Sequence, residues 1–377
     1  MTIKHISGYD ESIRVLQIVG QMNNAGVETV VMNYYRNIDR SKIQFDFIIG
    51  SDSKYAPIEE IETLGGKVYI VAPYKKILPY LKDVYRIIKK NNYKIVHSHL
   101  NTLSVFPLFV AFLAGSKVRI AHNHSTAVKS EPKTKLKKIL KPFAKIFATH
   151  YCACSEYAAR WLFGDSCYEN GNVTVINNAI DFSKYEFNEN VRNETRHELD
   201  IEGKFVFGHI GRFQYQKNHD FLIDIFEQIH LKDKNTVLLL AGDGDLKNDV
   251  LKKISSLNLD NAVKFLGPVE DTNPVYQAMD AFILPSLYEG FGMVGIEAQV
   301  AGIKFLCSTA IPQEVKATDL VEFIPLDKSA AYWAERILRS TKKDDERPNC
   351  SEQVRKSGFD IKIEAGKLLE YYKKIIK

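Results

Sequence analysis

Cysteine is sparse: five residues in 377, at positions 152, 154, 167, 307 and 350. An odd, scattered set excludes a disulfide framework and suits a reducing cytosol. Cys152-Ala-Cys154 opens like a zinc motif, but structural zinc sites take two cysteine pairs, or one pair with well-spaced histidines. Neither lies nearby, so the expectation is two small buried residues in a strand. Twelve prolines and 21 glycines are too few for a collagen-like or linker-dominated chain. Long apolar runs are missing too. The most apolar stretch, 103–114, falls short of the ~20 residues that span a bilayer. The opening MTIKHISGYDES is polar and carries no secretory signal. The expected location is therefore the cytoplasm, at most as a peripheral visitor to the inner face of the plasma membrane. Nor is there a charge excess: 51 Lys and Arg stand against 46 Asp and Glu, a net +5. No nucleic-acid partner is expected from that balance.

What is present is 45% hydrophobic residues, enough for two domains of ordinary size. Strand candidates fall at 13–19, 45–49, 67–71, 95–97, 117–121, 151–154 and 173–176. A second series falls at 204–210, 236–241, 262–266, 281–284, 304–307 and 321–324. Helical patterns separate them, as in 29–37, 78–90 and 220–230. That alternation predicts βαβ units and parallel sheets. It pauses once, over the polar, Asn-rich stretch 178–202, where the domain junction is expected. The fold class is α/β, with two Rossmann-like domains. A basic helix from Ile361 closes the chain.

Six constellations could carry chemistry. The sharpest is Pro285-Ser-Leu-Tyr-Glu289-Gly290-Phe291-Gly292-Met293-Val294-Gly295-Ile296-Glu297. It reads as a strand end, a glycine-rich turn and a helix opening near Met293. A helix N-terminus favours phosphate, and Glu297 could accept bonds from a ribose diol. The plain alternative is an acidic first helical turn; two glutamates around Gly-Phe-Gly after a strand favour function. Next comes Gly211-Arg212-Phe-Gln-Tyr-Gln-Lys217, at the carboxyl end of a strand, where open α/β sheets bind ligands. Its two cations suit a diphosphate, against the commoner fate of a solvated basic loop. Ala241-Gly242-Asp243-Gly244-Asp245 reads as a close backbone turn beside a nucleotide rather than as an Asp-x-Asp metal site. The early loop Gly20-Gln-Met-Asn-Asn-Ala-Gly26 lacks the G-x-G-x-x-G dinucleotide fingerprint, which speaks against an NAD enzyme, although Gly26 could let a phosphate or sugar approach. His97 and His99 share one side of a strand, and His122 and His124 follow the next. A zinc pair would need a third ligand, and His124, past a strand end, is placed to meet a sugar. Last, the segment Lys129 to Lys145 holds seven lysines and one acid, with Leu136, Ile139, Leu140, Phe143 and Phe147 at helical spacing and Pro142 set to kink it. A basic amphipathic helix suits an anionic membrane surface; the alternative is a solvated helix with a core stripe.

Glu289-x7-Glu297 in the setting EGFGMVGIEA, with Gly211-Arg212 and Lys217 upstream, resembles the retaining GT-B glycosyltransferases of the large "glycosyl transferases group 1" family. The resemblance spans nearly the whole chain. AGDGDL, Phe265-Leu-Gly-Pro and Val175-Ile-Asn-Asn178-Ala-Ile-Asp181 support it, and the stretch from Arg14 to Phe47 is similar to the bacterial exopolysaccharide and capsule branch. It implies two Rossmann-like domains facing across a cleft: an acceptor domain at 1–185, a donor domain at 186–357, and a helix at 358–377 crossing back to the first. It implies Arg212 and Lys217 on the donor diphosphate, Glu289 by the transferred sugar, and Phe291, Gly292 and Met293 along sugar and phosphate. Glu297 then takes the ribose, His124 lies by the sugar and acceptor, Gly26 forms the amino-terminal phosphate loop, and the backbone at Pro268 and Val269 meets the base. Gly242 belongs to the turn beside the nucleotide. The catalytic set is thus Glu289, His124, Arg212 and Lys217.

Three positions depart from the family pattern. Ala25-Gly26 replaces its double glycine, Asn177-Asn178-Ala179 replaces the usual Pro-Asn-Gly, and only four residues separate Arg212 from Lys217. The implied activity is retaining hexosyl transfer from a nucleotide-sugar, UDP before GDP, to a saccharide hydroxyl, with no cofactor and no metal. The Lys-rich segment suggests a lipid-linked saccharide acceptor, of undecaprenyl type, and the branch resemblance implies a repeat-unit intermediate of capsule or exopolysaccharide synthesis. Two rivals remain: a nucleotide-sugar epimerase of the same fold, which explains the Lys-rich face poorly, and a non-catalytic nucleotide-sugar-binding subunit, against which Glu289, Arg212 and Lys217 speak.

Overall fold

The computed structural model describes residues 12–22, 26–125, 134–341 and 347–376. Of the positions singled out above, Ala25, Lys129 and Lys133 lie outside the described residues. The chain divides into two units. One takes the described residues of Met1–Ala179 together with those of Ile361–Lys377, and the other takes Ile180–Asp360.

The first unit is built on β1 (Ile13–Gly20), β2 (Ile43–Gly50), β3 (Val68–Val71), β4 (Ile95–Ser98), β5 (Val118–Asn123), β6 (His150–Ala153) and β7 (Val173–Val175). All pairings are parallel, in the order β3-β2-β1-β4-β5-β6-β7. β2 is buried along its whole length. Gln44 and Asp46 are buried in it along with the apolar residues, Asp46 paired with Arg14, as befits a strand of a parallel sheet covered on both faces. Cys152 and Cys154 are both fully buried thiols at the end of β6.

The second unit is built on β8 (Phe205–Ile210), β9 (Thr236–Ala241), β10 (Val263–Gly267), β11 (Ala281–Leu284), β12 (Lys304–Ser308) and β13 (Val321–Ile324), in the parallel order β10-β9-β8-β11-β12-β13. In each unit the strand order reverses beside the first strand, between β1 and β4 and between β8 and β11. Consecutive loops leave such a point on opposite sides and open a crevice at the carboxyl ends. The loops singled out by sequence are those that follow β1, β4, β5, β8, β9 and β11.

The polar stretch 178–202 holds a helix, Glu189–Glu198, where sequence patterning showed no strand. Asn188 caps it, its side chain accepting from the N–H groups of Asn190 and Val191 at 3.0 and 3.2 Å. Arg192 and Arg196 tie the helix to Asp280 at 2.5 and 3.2 Å, and Asp280 also accepts from the Val206 N–H that opens β8. Charge, not apolar periodicity, attaches this helix to its sheet.

The closing helix, Ile361–Ile375, belongs to the first unit. Its Tyr372 is fully buried and meets Phe45 of β2 edge-on at 5.9 Å. The lysine-rich segment forms a helix at Thr134–Leu140 and a tighter turn at Lys141–Lys145, with Pro142 at the change. The proline ring cannot continue an α-helix and lacks the N–H it would contribute.

One glycine joins two of the loops. Gly242 has φ +136, and a Cβ there would stand 2.1 Å from the Gly211 carbonyl oxygen. Gly242→Ala therefore combines a strained backbone with a backbone clash. It should cost about 2 kcal/mol of stability, read as a lowered urea midpoint; an unchanged midpoint would show that the loop after β8 yields freely.

Candidate functional site

The loops after β8 and β11 meet through one carboxylate. Glu289 is buried, 6% exposed. Its Oε1 accepts from Lys217 Nζ at 2.7 Å and from Ser286 Oγ at 2.8 Å, and its Oε2 accepts from Gln216 Nε2 at 2.9 Å. The backbones are stitched alongside: the Leu287 N–H donates to the Gln216 carbonyl at 2.8 Å, and Asn218 Nδ2 donates to the Pro285 carbonyl at 3.1 Å. A buried charge pair is favoured when its remaining sites are hydrogen-bonded, and Gln216 and Ser286 supply such bonds to the Glu289 carboxylate. Gln216 and Ser286 carry no motif; only their places beside Lys217 and three residues before Glu289 signal them.

Gly292 sits at φ +94, directly before the Met293–Val300 helix. A residue with a side chain is strained in that left-handed conformation. The turn sets the helix N-terminus at the carboxyl end of β11. Phe291 turns its ring inward against Phe359 at 5.0 Å, leaving its backbone to line the loop. Met293 is half-buried. Glu297 lies on the helix, 6% exposed, and its Oε2 accepts from Tyr276 Oη at 2.7 Å. Burial pushes its carboxyl above the usual range, while hydrogen bonds from Tyr276 and Tyr185 and the Lys217 charge pull it down. Arg212 is exposed in the loop after β8. Gly242 and Val269 stand at the carboxyl ends of β9 and β10. Asp243 and Asp245 are exposed, and among the described residues they join no cluster of three possible metal ligands. The second unit thus gathers two cations, two carboxylates and a helix N-terminus at one switch point.

The first unit holds a different array at its own switch point. His97 Nε2 meets His122 Nδ1 at 3.0 Å, and His99 Nδ1 meets His124 Nε2 at 2.9 Å. The two pairs are stacked: His97 on His99 with centroids 4.3 Å apart, and His122 on His124 at 3.9 Å. Strand alternation placed each i, i+2 pair on one side; the pairing of β4 with β5 brings the four rings together. His97, His99 and His122 offer nitrogens within 4.8 Å of one another, the third ligand that the sequence did not reveal. Yet an imidazole lone pair lies in its ring plane. His97 and His99 are stacked within 23°, so an ion in the plane of one lies a ring spacing out of the plane of the other. The geometry is that of hydrogen-bonded pairs. Gly26, by contrast, opens the Gly26–Asn37 helix in open space, where an added Cβ would meet nothing within 4 Å.

The apolar stripe of the lysine-rich segment faces outward. Leu136, Ile139, Phe143 and Ile146 are 53, 64, 47 and 59% exposed. The Val105–Ala114 helix adds Phe112 and Leu113, both 52% exposed, joined through Phe147, whose ring meets Phe109 at 4.9 Å. Lys135, Lys137, Lys138, Lys141 and Lys145 stand among these residues. The core-stripe alternative for this segment is thereby overturned for Leu136, Ile139 and Phe143.

Burial holds the four histidines neutral, His97 and His124 down at about 3 against an ordinary 6.5, and His99 and His122 well below it. The unfolded chain binds these protons near pH 6.5, and the folded one does not. Their contribution to stability is complete above pH 6.5 and is lost as the pH falls toward 3, at up to about 1.4 kcal/mol per pH unit for each ring. Melting temperature should fall steadily from pH 7.5 to 5; a flat profile would show that the rings are not held neutral.

Comparison with known proteins bears on the family and the fold. Residues 24–184 match the family described as "Glycosyltransferase Family 4", and residues 191–357 match "Glycosyl transferases group 1". EpsF of Bacillus subtilis (strain 168), named as a glycosyltransferase, is 35% identical over 370 residues, covering 95% of this chain and 96% of that one. An Escherichia coli UDP-Gal:alpha-D-GlcNAc-diphosphoundecaprenol alpha-1,3-galactosyltransferase is 27% identical over 260 residues, 66% of this chain and 65% of that one. Among solved structures, Anabaena Alr3699/HepE in complex with UDP and glucose aligns with a TM-score of 0.79 at 20% identity, covering 95% of this chain and 99% of that one. Two Rossmann-like units of the GT-B type and a full-length relative at this identity lead to one conclusion: the chain belongs to the group 1 glycosyltransferases.

Proposed function

We propose that the protein transfers a sugar, with retention, from a UDP-sugar to a hydroxyl of a lipid-linked saccharide during capsule or exopolysaccharide synthesis. The observation that carries the reading is the convergence of Lys217, Glu289 and Glu297 at the β8–β11 switch point, with Arg212 in the same loop. Arg212 and Lys217 bind the diphosphate and stabilise the charge that develops as the anomeric carbon–oxygen bond breaks, an electrostatic role that needs no metal. Lys217 turns from Glu289 toward the phosphate, and Glu289 is left beside the sugar. Glu297, steadied by Tyr276, takes the ribose hydroxyls. The acceptor oxygen bonds to the anomeric carbon on the face the diphosphate leaves, and its proton passes to the departing phosphate oxygen. Glu289 acts as an orienting carboxylate rather than a covalent nucleophile.

The donor class is supported by UDP in the HepE complex, and the acceptor class by the diphosphoundecaprenol substrate in the name of the Escherichia coli relative. The exposed apolar and lysine-rich surface around Ile139 and Phe143 supports docking on an anionic bilayer at its cytoplasmic face. Among the described residues no helix is long and apolar enough to cross a membrane.

The first test is a panel of nucleotide sugars, assayed for binding and slow hydrolysis with and without EDTA. Selective, EDTA-insensitive release of UDP is expected; a chelator-dependent reaction would overturn the metal-free mechanism. Glu289→Gln should lower kcat by about 10²–10³ with UDP affinity retained, whereas Glu297→Ala should weaken UDP binding by about tenfold or more. Full activity in the first variant would remove Glu289 from the reaction. For the surface, the double change Ile139→Glu with Phe143→Glu should abolish co-sedimentation with phosphatidylglycerol vesicles and leave hydrolysis of free donor intact. Retained co-sedimentation would place membrane contact elsewhere.

A further inference from the structure

We infer that Gln17 is a positioning residue whose single amide decides which ring nitrogen carries the proton in each ring of the His97, His99, His122 and His124 array. Its effect on turnover rests on the reading of His124 as a site residue; the proton order itself does not.

Gln17 lies in the middle of β1, 1% exposed, a polar residue in the apolar run Val15-Leu-Gln-Ile-Val19. Its Oε1 meets His99 Nε2 at 2.9 Å, and its Nε2 meets Tyr372 Oη at 3.1 Å. An amide oxygen only accepts and an amide nitrogen only donates. His99 Nε2 therefore carries a proton. A neutral imidazole has one N–H, so His99 Nδ1 is a lone pair and its bond to His124 Nε2 at 2.9 Å must be donated by His124. His124 Nδ1 is left bare.

The other branch runs through the closing helix. Tyr372 Oη accepts from Gln17 and donates its own proton to His97 Nδ1 at 2.7 Å. His97 then donates from Nε2 to His122 Nδ1 at 3.0 Å, which leaves the His122 proton on Nε2. All four rings thus share one tautomer, protonated at Nε2. Turning the Gln17 amide over would reverse every bond and put all four protons on Nδ1. The ends of the two branches, His124 Nδ1 and His122 Nε2, are buried and have no hydrogen-bond partner among the described residues. One is an acceptor and the other a donor, and Gln17 decides which is which, through His99 on one branch and through Tyr372 and His97 on the other. A ring free to exchange tautomers would present donor and acceptor by turns; one fixed by Gln17 presents His124 with a single polarity. The inference needs neutral rings, and burial supplies them.

The experiment is long-range ¹H–¹⁵N correlation of the histidine rings in full-length protein labelled with ¹⁵N-histidine, which reads each tautomer directly. Wild type should show four neutral rings protonated at Nε2; four rings protonated at Nδ1 would also support the coupling, with the amide turned. Gln17→Glu separates the branches. A carboxylate accepts from both Tyr372 and His99, so Tyr372 no longer donates to His97. His97 and His122 should switch to Nδ1–H while His99 and His124 stay as they were. Tyr372→Phe should release only the His97–His122 pair, and it carries the test if the Gln17 variant does not fold. A wild-type mixture of tautomers, or His97 and His122 signals unmoved in both variants, overturns the inference. In Gln17→Leu, kcat for transfer should fall about tenfold with an unchanged KM for the nucleotide sugar. Tautomers that move as stated with kcat unaltered would support the inference and remove His124 from the reaction.

Discussion

The second unit depends on a carboxylate that two diverging loops share. β8 and β11 are neighbours, but the chain leaves them in opposite directions, and nothing in a parallel sheet joins the loops that follow. Glu289 does so, from the β11 side, by accepting from Lys217 and Gln216 on the β8 side. The crevice that topology opens is thereby given a floor of defined charge. The same interaction keeps a cation and an anion largely out of water at the mouth of the crevice, each held by the other. Ligand binding at such a place is an exchange of partners rather than the first encounter of a charge with the protein.

The first unit solves the matching problem without charge. Its switch point is lined by neutral imidazoles, an amide and a phenol, a network in which every bond between rings has a direction. A low-dielectric surrounding makes such a network strong when satisfied and costly when broken. The two units therefore differ in what holds their crevices in shape: a carboxylate–ammonium pairing in the second, and in the first an imidazole array that mild acid works against.

Much of this was legible in the residues. Among the described residues all thirteen strands fall within two residues of their expected limits, because buried parallel strands are mostly short apolar runs bounded by turn residues. Glu289, Glu297, Arg212 and Lys217 were marked by type, spacing and position after strands. What was not legible depends on partners distant in sequence. Gln17 sits 355 residues from Tyr372, and nothing local announces their contact. His97 and His99 could be sorted onto one strand face, but the four histidines could not be assembled, since that needs the adjacency of β4 and β5. Helical periodicity identified the stripe at Leu136, Ile139 and Phe143, yet periodicity is blind to whether a stripe faces a core or the outside. The helix at Glu189–Glu198 escaped because its attachment is ionic.

The closing helix has a consequence for synthesis. Strands β1 to β7 leave the ribosome first, but the unit they form also takes Tyr372, Leu368 and Ile361, which come after the whole of the second unit. During translation Gln17 and Phe45 have no Tyr372 to meet until the whole of the second unit has been made. The second unit is continuous and can form as soon as it emerges. The first unit is therefore completed only by a helix made after the second, one that carries the hydroxyl to which Gln17 and His97 bond.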